Sequence, residues 1–323
     1  MRILSGVQPS GNLHIGNYFG AIRQFVRMQE EAAECFFFVA DLHAMTTIHN
    51  GEELREKAFL VAVDFLSLGL DPARSVIYRQ SDVPEVTELA WMLSTVTPMG
   101  LLQRGHSYKD KVAKGIAPSH GLFAYPVLMA ADILIVRADK VPVGKDQKQH
   151  LEMTRDIAAA FNQQYGAGLL TIPEEYILPD VAVVPGIDGQ KMSKSYGNTL
   201  EIFAPENELR KRVMSIVTDS TPVEAPKPTR GNTLYALLKL FTPPAEWPAT
   251  KRCFTEGGTG YGELKKRLFG LILDTFREAR RRREELLQDR GYVEAVLRDG
   301  RDRAKAVIDG VMADCRRACG IGR

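Results

Sequence analysis

The sequence is poor in cysteine, has no apolar run of membrane length and carries almost no net charge. Four cysteines in 323 residues, at positions 35, 253, 315 and 319, make no disulfide framework. Cys315 and Cys319 are four apart, not in a CxxC pair. Cys315 also falls on an apolar helical stripe, so it reads as a buried structural thiol and not as a metal or cluster ligand. No apolar stretch reaches the roughly 18 residues of a membrane span, and Met1-Arg2-Ile3-Leu4-Ser5-Gly6 turns polar too early for a signal peptide. A cytoplasmic protein with no membrane partner is expected. There is no internal repeat and no low-complexity tract. An apolar content of 45% and a charged content of 25% exclude a disordered or collagen-like chain.

The formal charge of +2 at first argues against a nucleic-acid partner, but it hides a division. From Lys251 to Arg323 there are 18 Lys+Arg against 12 Asp+Glu, leaving 24 against 28 in the residues before. A mildly acidic front is followed by a basic end, a distribution that needs a reason. Within it stands Arg280-Arg281-Arg282-Arg283, either a solvated helix face or a phosphate contact.

The length suits two domains. In the first half short apolar runs alternate with helical patterns. Strands are predicted at Ile3–Val7, Cys35–Ala40, Ser75–Tyr78 and Val141–Val143, and Val181–Val184 is a further apolar run. Helices are predicted from about Asn17, over Leu54–Leu68 with a stop at Gly69, over Glu85–Thr95 and after Asp146. That alternation predicts an α/β fold, a parallel sheet with helices on both faces. Beyond Glu206 the periodic segments are helical, at 206–217, 231–241, 261–289 and 292–318, with a proline-containing loop over Thr221–Thr229. Leu264, Leu268, Leu271 and Thr275 are the expected inner face of the third. Val293, Val296, Gly300, Ala304, Val307, Val311 and Cys315 are that of the last. A smaller all-helical domain is therefore expected to follow the sheet and to hold the basic excess.

Two strings carry chemistry. Gln8-Pro9-Ser10-Gly11-Asn12-Leu13-His14-Ile15-Gly16-Asn17 lies between the first strand and its helix. Backbone N–H groups, small residues and a positive helix end suit a nucleotide there. His14 is placed to bond a phosphate oxygen, and Gly16 would let an adenine lie against the main chain. A purely structural Gly/Asn turn remains the alternative from these residues alone. The second string, Lys191-Met192-Ser193-Lys194-Ser195, sits in a Gly- and Pro-rich loop. Two lysines flanking small hydroxyls suit the charge that develops on a departing pyrophosphate.

Together the two strings resemble the signature pair of the class I aminoacyl-tRNA synthetases. Gln8-Pro9-Ser10-Gly11, Ala124-Tyr125-Pro126-Val127-Leu128-Met129-Ala130-Ala131-Asp132, Val143-Gly144-Lys145-Asp146-Gln147 and Gly320-Ile321-Gly322-Arg323 are similar in order and spacing to the bacterial tryptophanyl-tRNA synthetases. The resemblance covers essentially the whole chain. Two departures are visible: Lys145 stands where that family usually has an acidic residue, and Gly186-Ile187-Asp188-Gly189-Gln190 differs from its commonest form.

The resemblance implies a Rossmann-like catalytic domain over residues 1–190, with ATP and tryptophan sites and a dimer interface. Residues 191–323 would then hold the lysine loop and a helical tRNA anticodon-binding domain. It implies L-tryptophan, ATP with Mg2+ and tRNA(Trp) as partners, a homodimer, and no structural metal. Catalytic roles fall on His14, Lys111 (in the basic segment Tyr108–Lys114), Lys191 and Lys194. ATP contacts fall on Gln8, Pro9, Ser10, Gly16, Asn17, Gly144, Lys145, Asp146, Val183, Met192, Ser193 and Ser195. Tyr125 and Gln147 would hold the substrate's α-amino group. Met129 and His43 would line its pocket or rim, although His43 read alone is a satisfied strand-end histidine. The helix pair around Glu85–Ser94 and Leu122–Ile135 resembles the dimer interface, and Trp91-Met92-Leu93 would be either interface or core.

The amino-acid pocket has its own argument. Tyr125, Met129 and Asp132 are spaced i, i+4, i+7 on one helix face. Asp132 lies in the apolar run Leu128–Val136, where a carboxylate without donors is costly. Indole is a flat apolar ring with a single N–H donor, which suits an acceptor-only carboxylate, and a site built for that bond rejects amino acids lacking it. The alternative is an Asp132 satisfied by a neighbouring Ser, Arg or helix end. The functional alternatives are a tyrosyl-specific class I relative, a non-catalytic nucleotide-binding regulator, and an adenylyltransferase with a small-molecule acceptor. Removing one lysine contact should slow adenylate formation roughly ten- to a thousandfold. An unchanged single-turnover rate in Lys194→Ala would refute that assignment.

Overall fold

The structure is a computed structural model that describes residues 1–31, 34–105, 108–109, 119–142, 144, 148–176 and 184–322. The chain divides into two compact units built from interleaved segments. One comprises Met1–Gly11, Phe25–Pro179 and Leu286–Arg323, the other Asn12–Gln24 and Asp180–Glu285.

The first unit is built on a five-stranded parallel sheet of order β3-β2-β1-β4-β5. Its strands are β1 (Arg2–Val7), β2 (Glu34–Val39), β3 (Ser75–Arg79), β4 (Lys140–Pro142) and β5 (Glu174–Tyr176). The α/β reading of the sequence holds. Four strands lie where apolar runs predict them, whereas no such run announces β5, whose residues are only partly buried or exposed. The aromatic run Phe36-Phe37-Phe38 serves both faces of β2. Phe37 stacks on Phe25 at 4.7 Å, while Phe38 on the opposite face stacks on Tyr78 at 5.8 Å. A strand buried on both sides reads as continuous apolar sequence because neither alternation face meets water.

The strand order reverses between β1 and β4, and in open parallel sheets ligands bind beyond the carboxyl ends of the strands at such a switch point. Gln8-Pro9-Ser10 follows β1 and Gly144 follows β4, so both flank that point. His43 follows β2 and Gln80 follows β3. Helix His120–Ile135 is capped by Ser119, whose hydroxyl accepts from the Leu122 N–H at 3.2 Å. It packs Val127, Ala130, Ala131 and Leu134 into the core with Leu4, Phe36, Val76 and Tyr78.

The final helix, Arg290–Cys319, belongs to this unit and not to a separate helical body. Ala304, Ile308, Val311 and Cys315 join the sheet's core. The expected inner face is buried, with Val307 only partly so and Ile308 taking its place. Burial pushes the Cys315 thiol up to about 11, as suits a structural residue. Gly300 explains how the helix seats: a Cβ there would lie 1.9 Å from the Ile77 carbonyl oxygen of β3. Basic residues of this helix are spent inside the unit. Lys305 pairs with Glu85, Arg316 with Glu88, and Arg290 with Glu56 at 2.8 Å. Part of the basic excess is thus internal pairing.

The second unit contains helices Glu206–Met214, Thr233–Phe241 and Trp247–Thr255 and most of Tyr261–Gln288. Trp247–Thr255 was not among the helices predicted from periodicity. Phe19, Phe241 and Phe276 form an edge-to-face cluster with centroids 5.3 and 6.1 Å apart. The inner face of Tyr261–Gln288 is Leu264, Leu268, Ile272 and Phe276. This corrects the expected stripe: Leu271 is half-buried and Thr275 exposed, because a strict i, i+4 repeat from Leu264 brings Ile272 and the bulky Phe276 inward. The segment Thr221–Thr229 is a loop. Among the described residues no helix is long and apolar enough to cross a membrane.

Gly300→Ala should destabilise the protein by about 2 kcal/mol or more, since backbone and not a flexible side chain blocks the methyl. Thermal or denaturant unfolding of the variant measures it, and an unchanged midpoint would contradict the seating described.

Candidate active site

His14 and the lysine loop lie in the same unit. Helix formation starts at Ile15, two residues before the predicted Asn17, and runs through a π-helical stretch, Tyr18–Ile22, into Arg23–Glu31. His14 is the N-cap. Its ring Nδ1 accepts from the Asn17 N–H at 3.2 Å, and the Asn17 Oδ1 accepts in return from the His14 N–H at 3.1 Å. This reciprocal box satisfies two otherwise orphaned donors. It also uses up the Asn17 carbonyl oxygen.

Burial, reinforced by the Lys194 ammonium, pushes the His14 imidazole down to about 4. The ring is therefore neutral at neutral pH. With Nδ1 accepting, its proton sits on Nε2, so one directed donor remains. Because folding depresses this pKa, the contribution of neutral His14 to stability is complete above about pH 6.5. It is lost as pH falls from there toward 4.

The segment after the lysine loop pairs with the first motif. Ile15 N–H donates to Leu200 O at 2.9 Å and Ile202 N–H to Leu13 O at 3.1 Å. Gly16 N–H donates to the Met192 sulfur at 3.4 Å, and a Cβ on Gly16 would approach the His14 ring at 2.9 Å. Gly16 thus already has a reason to lack a side chain. Met192 is buried as an anchor, while Lys191 and Ser195 are exposed and Ser193 and Lys194 half-buried.

Asn198, 2% exposed, fastens the lysine loop. Its Oδ1 accepts from the Ser193 N–H at 2.8 Å. Its Nδ2 donates to Asp188 Oδ1 at 2.8 Å and to Lys191 O at 3.2 Å. A Cβ on Gly186 would sit 2.3 Å from the Asn198 amide, so a glycine there makes room for this side chain. Sequence reasoning missed Asn198, although an Asn among Gly and Ser after two lysines carries the turn chemistry of a loop fastener.

The sheet unit holds the other candidate cluster. Asp132, 4% exposed, receives His43 Nε2 on Oδ2 at 2.8 Å. Gln80 Nε2 donates to Oδ1 at 2.8 Å and to Oδ2 at 3.0 Å. Burial pushes the Asp132 carboxyl up, and the bonds from His43 and Gln80 oppose it. Its donors are therefore an imidazole and an amide, not the Ser, Arg or helix end weighed from sequence. His43 is indeed satisfied at a strand end, and its partner is Asp132. The Tyr125 ring lies 6.4 Å from that of His43, and its hydroxyl is 2.5 Å from His150 Nε2. Met129 is half-buried on the same helix.

Among the remaining candidates, Pro9 is buried, Gln8 and Ser10 are exposed and Gly144 is half-buried. Lys111, Lys145, Asp146, Gln147 and Val183 lie outside the described residues. Of the four consecutive arginines, Arg280 donates to the Ile202 and Ala204 carbonyls at 2.5 and 2.7 Å. Arg281 pairs with Glu278 and Glu285, and Arg283 stacks over Phe203 at 4.6 Å. Arg282 is exposed. The run is mostly a structural face.

Residues 1–266 match the family of tRNA synthetases class I (W and Y), and the chain belongs to it. The tryptophan–tRNA ligase of Fusobacterium nucleatum is 54% identical over 306 residues, covering 95% of this chain and 94% of that one. That of Rhodopirellula baltica is 50% identical, covering 99% and 100%. A crystal structure of the tryptophanyl-tRNA synthetase of Campylobacter jejuni complexed with ADP and tryptophan superposes with a TM-score of 0.93. It shares 49% identity and covers 99% of this chain and 100% of that one.

Asn198→Ala should cost about 1–3 kcal/mol by leaving the Ser193 N–H without its acceptor and emptying a buried position. It should slow adenylate formation while leaving the KM for the amino acid within about twofold. Unfolding curves with single-turnover kinetics measure both, and wild-type kinetics would exclude the fastening role.

Proposed function

We propose that this chain activates L-tryptophan with ATP and passes it to tRNA(Trp). The tryptophan carboxylate attacks the α-phosphorus in line, a new P–O bond forms as the bond to pyrophosphate breaks, and tryptophanyl-adenylate results. The terminal ribose of the tRNA then takes the acyl group and AMP leaves. No general base is required in the first step, because the attacking carboxylate is already ionised at neutral pH. Catalysis is positioning plus stabilisation of phosphate charge.

His14, through its Nε2–H, and Lys111, Lys191 and Lys194 take that second role. ATP lies against Gln8, Pro9, Ser10, Gly16, Asn17, Gly144, Lys145, Asp146 and Val183, and against the loop Met192, Ser193 and Ser195. Mg2+ enters with ATP as part of the substrate. Tyr125 and Gln147 hold the α-amino group, Met129 and His43 border the ring, and Asp132 accepts the indole N–H. The observation that carries this choice of amino acid is the buried Asp132 carboxylate, an acceptor surrounded by apolar residues.

The protein works in the cytoplasm as a homodimer. Helices Glu85–Ser94 and His120–Ile135 form the interface, a reading supported by Trp91, 73% exposed beside the buried Met92 and Leu93. Residues 1–190 supply catalysis and 191–323 the lysine loop and anticodon binding, with Arg282 the arginine of the run placed to meet phosphate.

ATP–pyrophosphate exchange measured with each of the twenty amino acids tests the reading. Exchange should be strongest with tryptophan. Preference for tyrosine would make the chain a tyrosyl-specific relative, and no exchange with any amino acid would make it a non-catalytic regulator. Tryptophan-dependent exchange without charging of tRNA would move the acceptor to a small molecule.

A further inference from the structure

The mechanism above uses Asp132 and leaves Gln80 without a part, yet Gln80 is 1% exposed and every polar atom of its amide is committed. Its Oε1 accepts from the Leu42 N–H at 3.1 Å and the His43 N–H at 3.4 Å, while its Nε2 bridges both oxygens of Asp132. The short helical turn Gln80–Asp82 that presents it is itself pinned. Asp41, 6% exposed, accepts from the backbone N–H of Ser81 at 3.0 Å and from the Ser81 hydroxyl. The carboxylate is thus held from the ends of two neighbouring strands, β2 through His43 and β3 through Gln80.

We propose that Gln80 is a positioning residue that sets selectivity for an indole side chain, by holding the Asp132 carboxylate in the orientation that receives the indole N–H. This inference rests on the reading of Asp132 as the indole acceptor. A carboxylate offers about four lone-pair directions. His43 takes one on Oδ2 and the Gln80 nitrogen lies astride the two oxygens, which restricts the directions left to a further donor. Asp132 is acceptor-only when ionised, so the His43 Nε2 must carry the proton of that bond. The His43 N–H and one Gln80 N–H are then spent on Asp132. A phenol could still donate to the carboxylate, but its own oxygen would find the His43 N–H already committed, and unpaired buried polar atoms are what reject a near-isostere.

The groups facing Asp132 are His43 and Gln80 by hydrogen bond, the Asp41 carboxylate, whose charge disfavours ionisation, and the Tyr78 phenol, which burial keeps protonated. Losing the Gln80 donor would raise the Asp132 pKa further. The carboxylate would then be lost at a higher pH, and the acid limb of kcat/KM for tryptophan would move upward in pH.

The test compares tryptophan with β-(3-benzothienyl)alanine, which keeps the ring shape but has sulfur in place of N–H, in ATP–pyrophosphate exchange by the full-length protein. Wild type should prefer tryptophan by tens to hundreds of fold. If it does not, the Asp132 reading itself fails. Gln80→Met, similar in length but without donors, should lose roughly ten- to a hundredfold in kcat/KM for tryptophan. The loss should fall mainly in KM, with the acid limb displaced upward and both the benzothienyl substrate and the KM for ATP within about threefold. Gln80→Asn, which keeps the amide but withdraws it by one methylene, should do the same in a more conservative background. If wild type discriminates and either folded variant keeps the full preference and an unmoved acid limb, the role of Gln80 is overturned. A merely structural Gln80 would lower stability and depress both substrates equally.

Discussion

A carboxylate taken out of water must be given donors, and the sheet unit is arranged around that requirement at Asp132. The helix that carries it, His120–Ile135, is apolar enough to fill the core, so nothing on its own face can pair the charge. The partners have to come from elsewhere. They arrive from the carboxyl ends of β2 and β3, the edge of a parallel sheet where chain segments leave the core and polar side chains can converge. Register matters for the same reason. Phe38 pairs with Tyr78 and Val39 with Arg79, so the residues just beyond, which lead to His43 and Gln80, emerge side by side. A slip between these strands would part the two donors and leave the carboxylate buried and unpaired, a cost of several kcal/mol.

The lysine loop solves the opposite problem. It must keep cationic side chains near the neutral His14 without letting the main chain wander. Burial and the nearby ammonium of Lys194 act in the same direction on His14, both favouring the uncharged ring. The helix cap then decides which nitrogen holds the proton. An N-cap of Ser or Asp would satisfy the same backbone donor but would leave no N–H to offer. A histidine cap therefore nucleates the helix through one ring atom and keeps an N–H donor on the other.

Much of this was legible in the sequence, for stated physical reasons. A both-faces-buried strand has to be continuously apolar, so Cys35–Ala40 announced β2. The two signature strings carried the family resemblance, and Asp132 stood out as a charge in an apolar run. What remained hidden depended on long-range geometry. Gln80 and Asn198 are single polar residues in ordinary turns, and only folding shows that each is buried with all its hydrogen-bonding atoms engaged. β5 is too short and too exposed to leave a pattern. The stripe of Tyr261–Gln288 was misplaced because Leu271 and Ile272 are equally apolar, and the choice between them follows from packing with Phe276. The roles of Arg280 and Arg283 were hidden for a similar reason: carbonyls and a phenyl ring, which no charge count includes, take them.

Both clusters use a primary amide as the fastener, and the choice follows from charge. An amide donates and accepts at once, so one end can hold backbone while the other orients a functional group. It does so without adding a charge. A lysine or arginine at position 80 would neutralise Asp132 and compete for the lone pair left to an indole N–H. A carboxylate there would repel Asp132 and push its proton affinity up. At position 198 an aspartate could accept from Ser193 but could not donate to Asp188. Its charge would also sit beside Lys191 and Lys194 and offset their positive charge. In both clusters a neutral side chain with two-sided hydrogen bonding fixes position while leaving the electrostatics to the charged residues beside it.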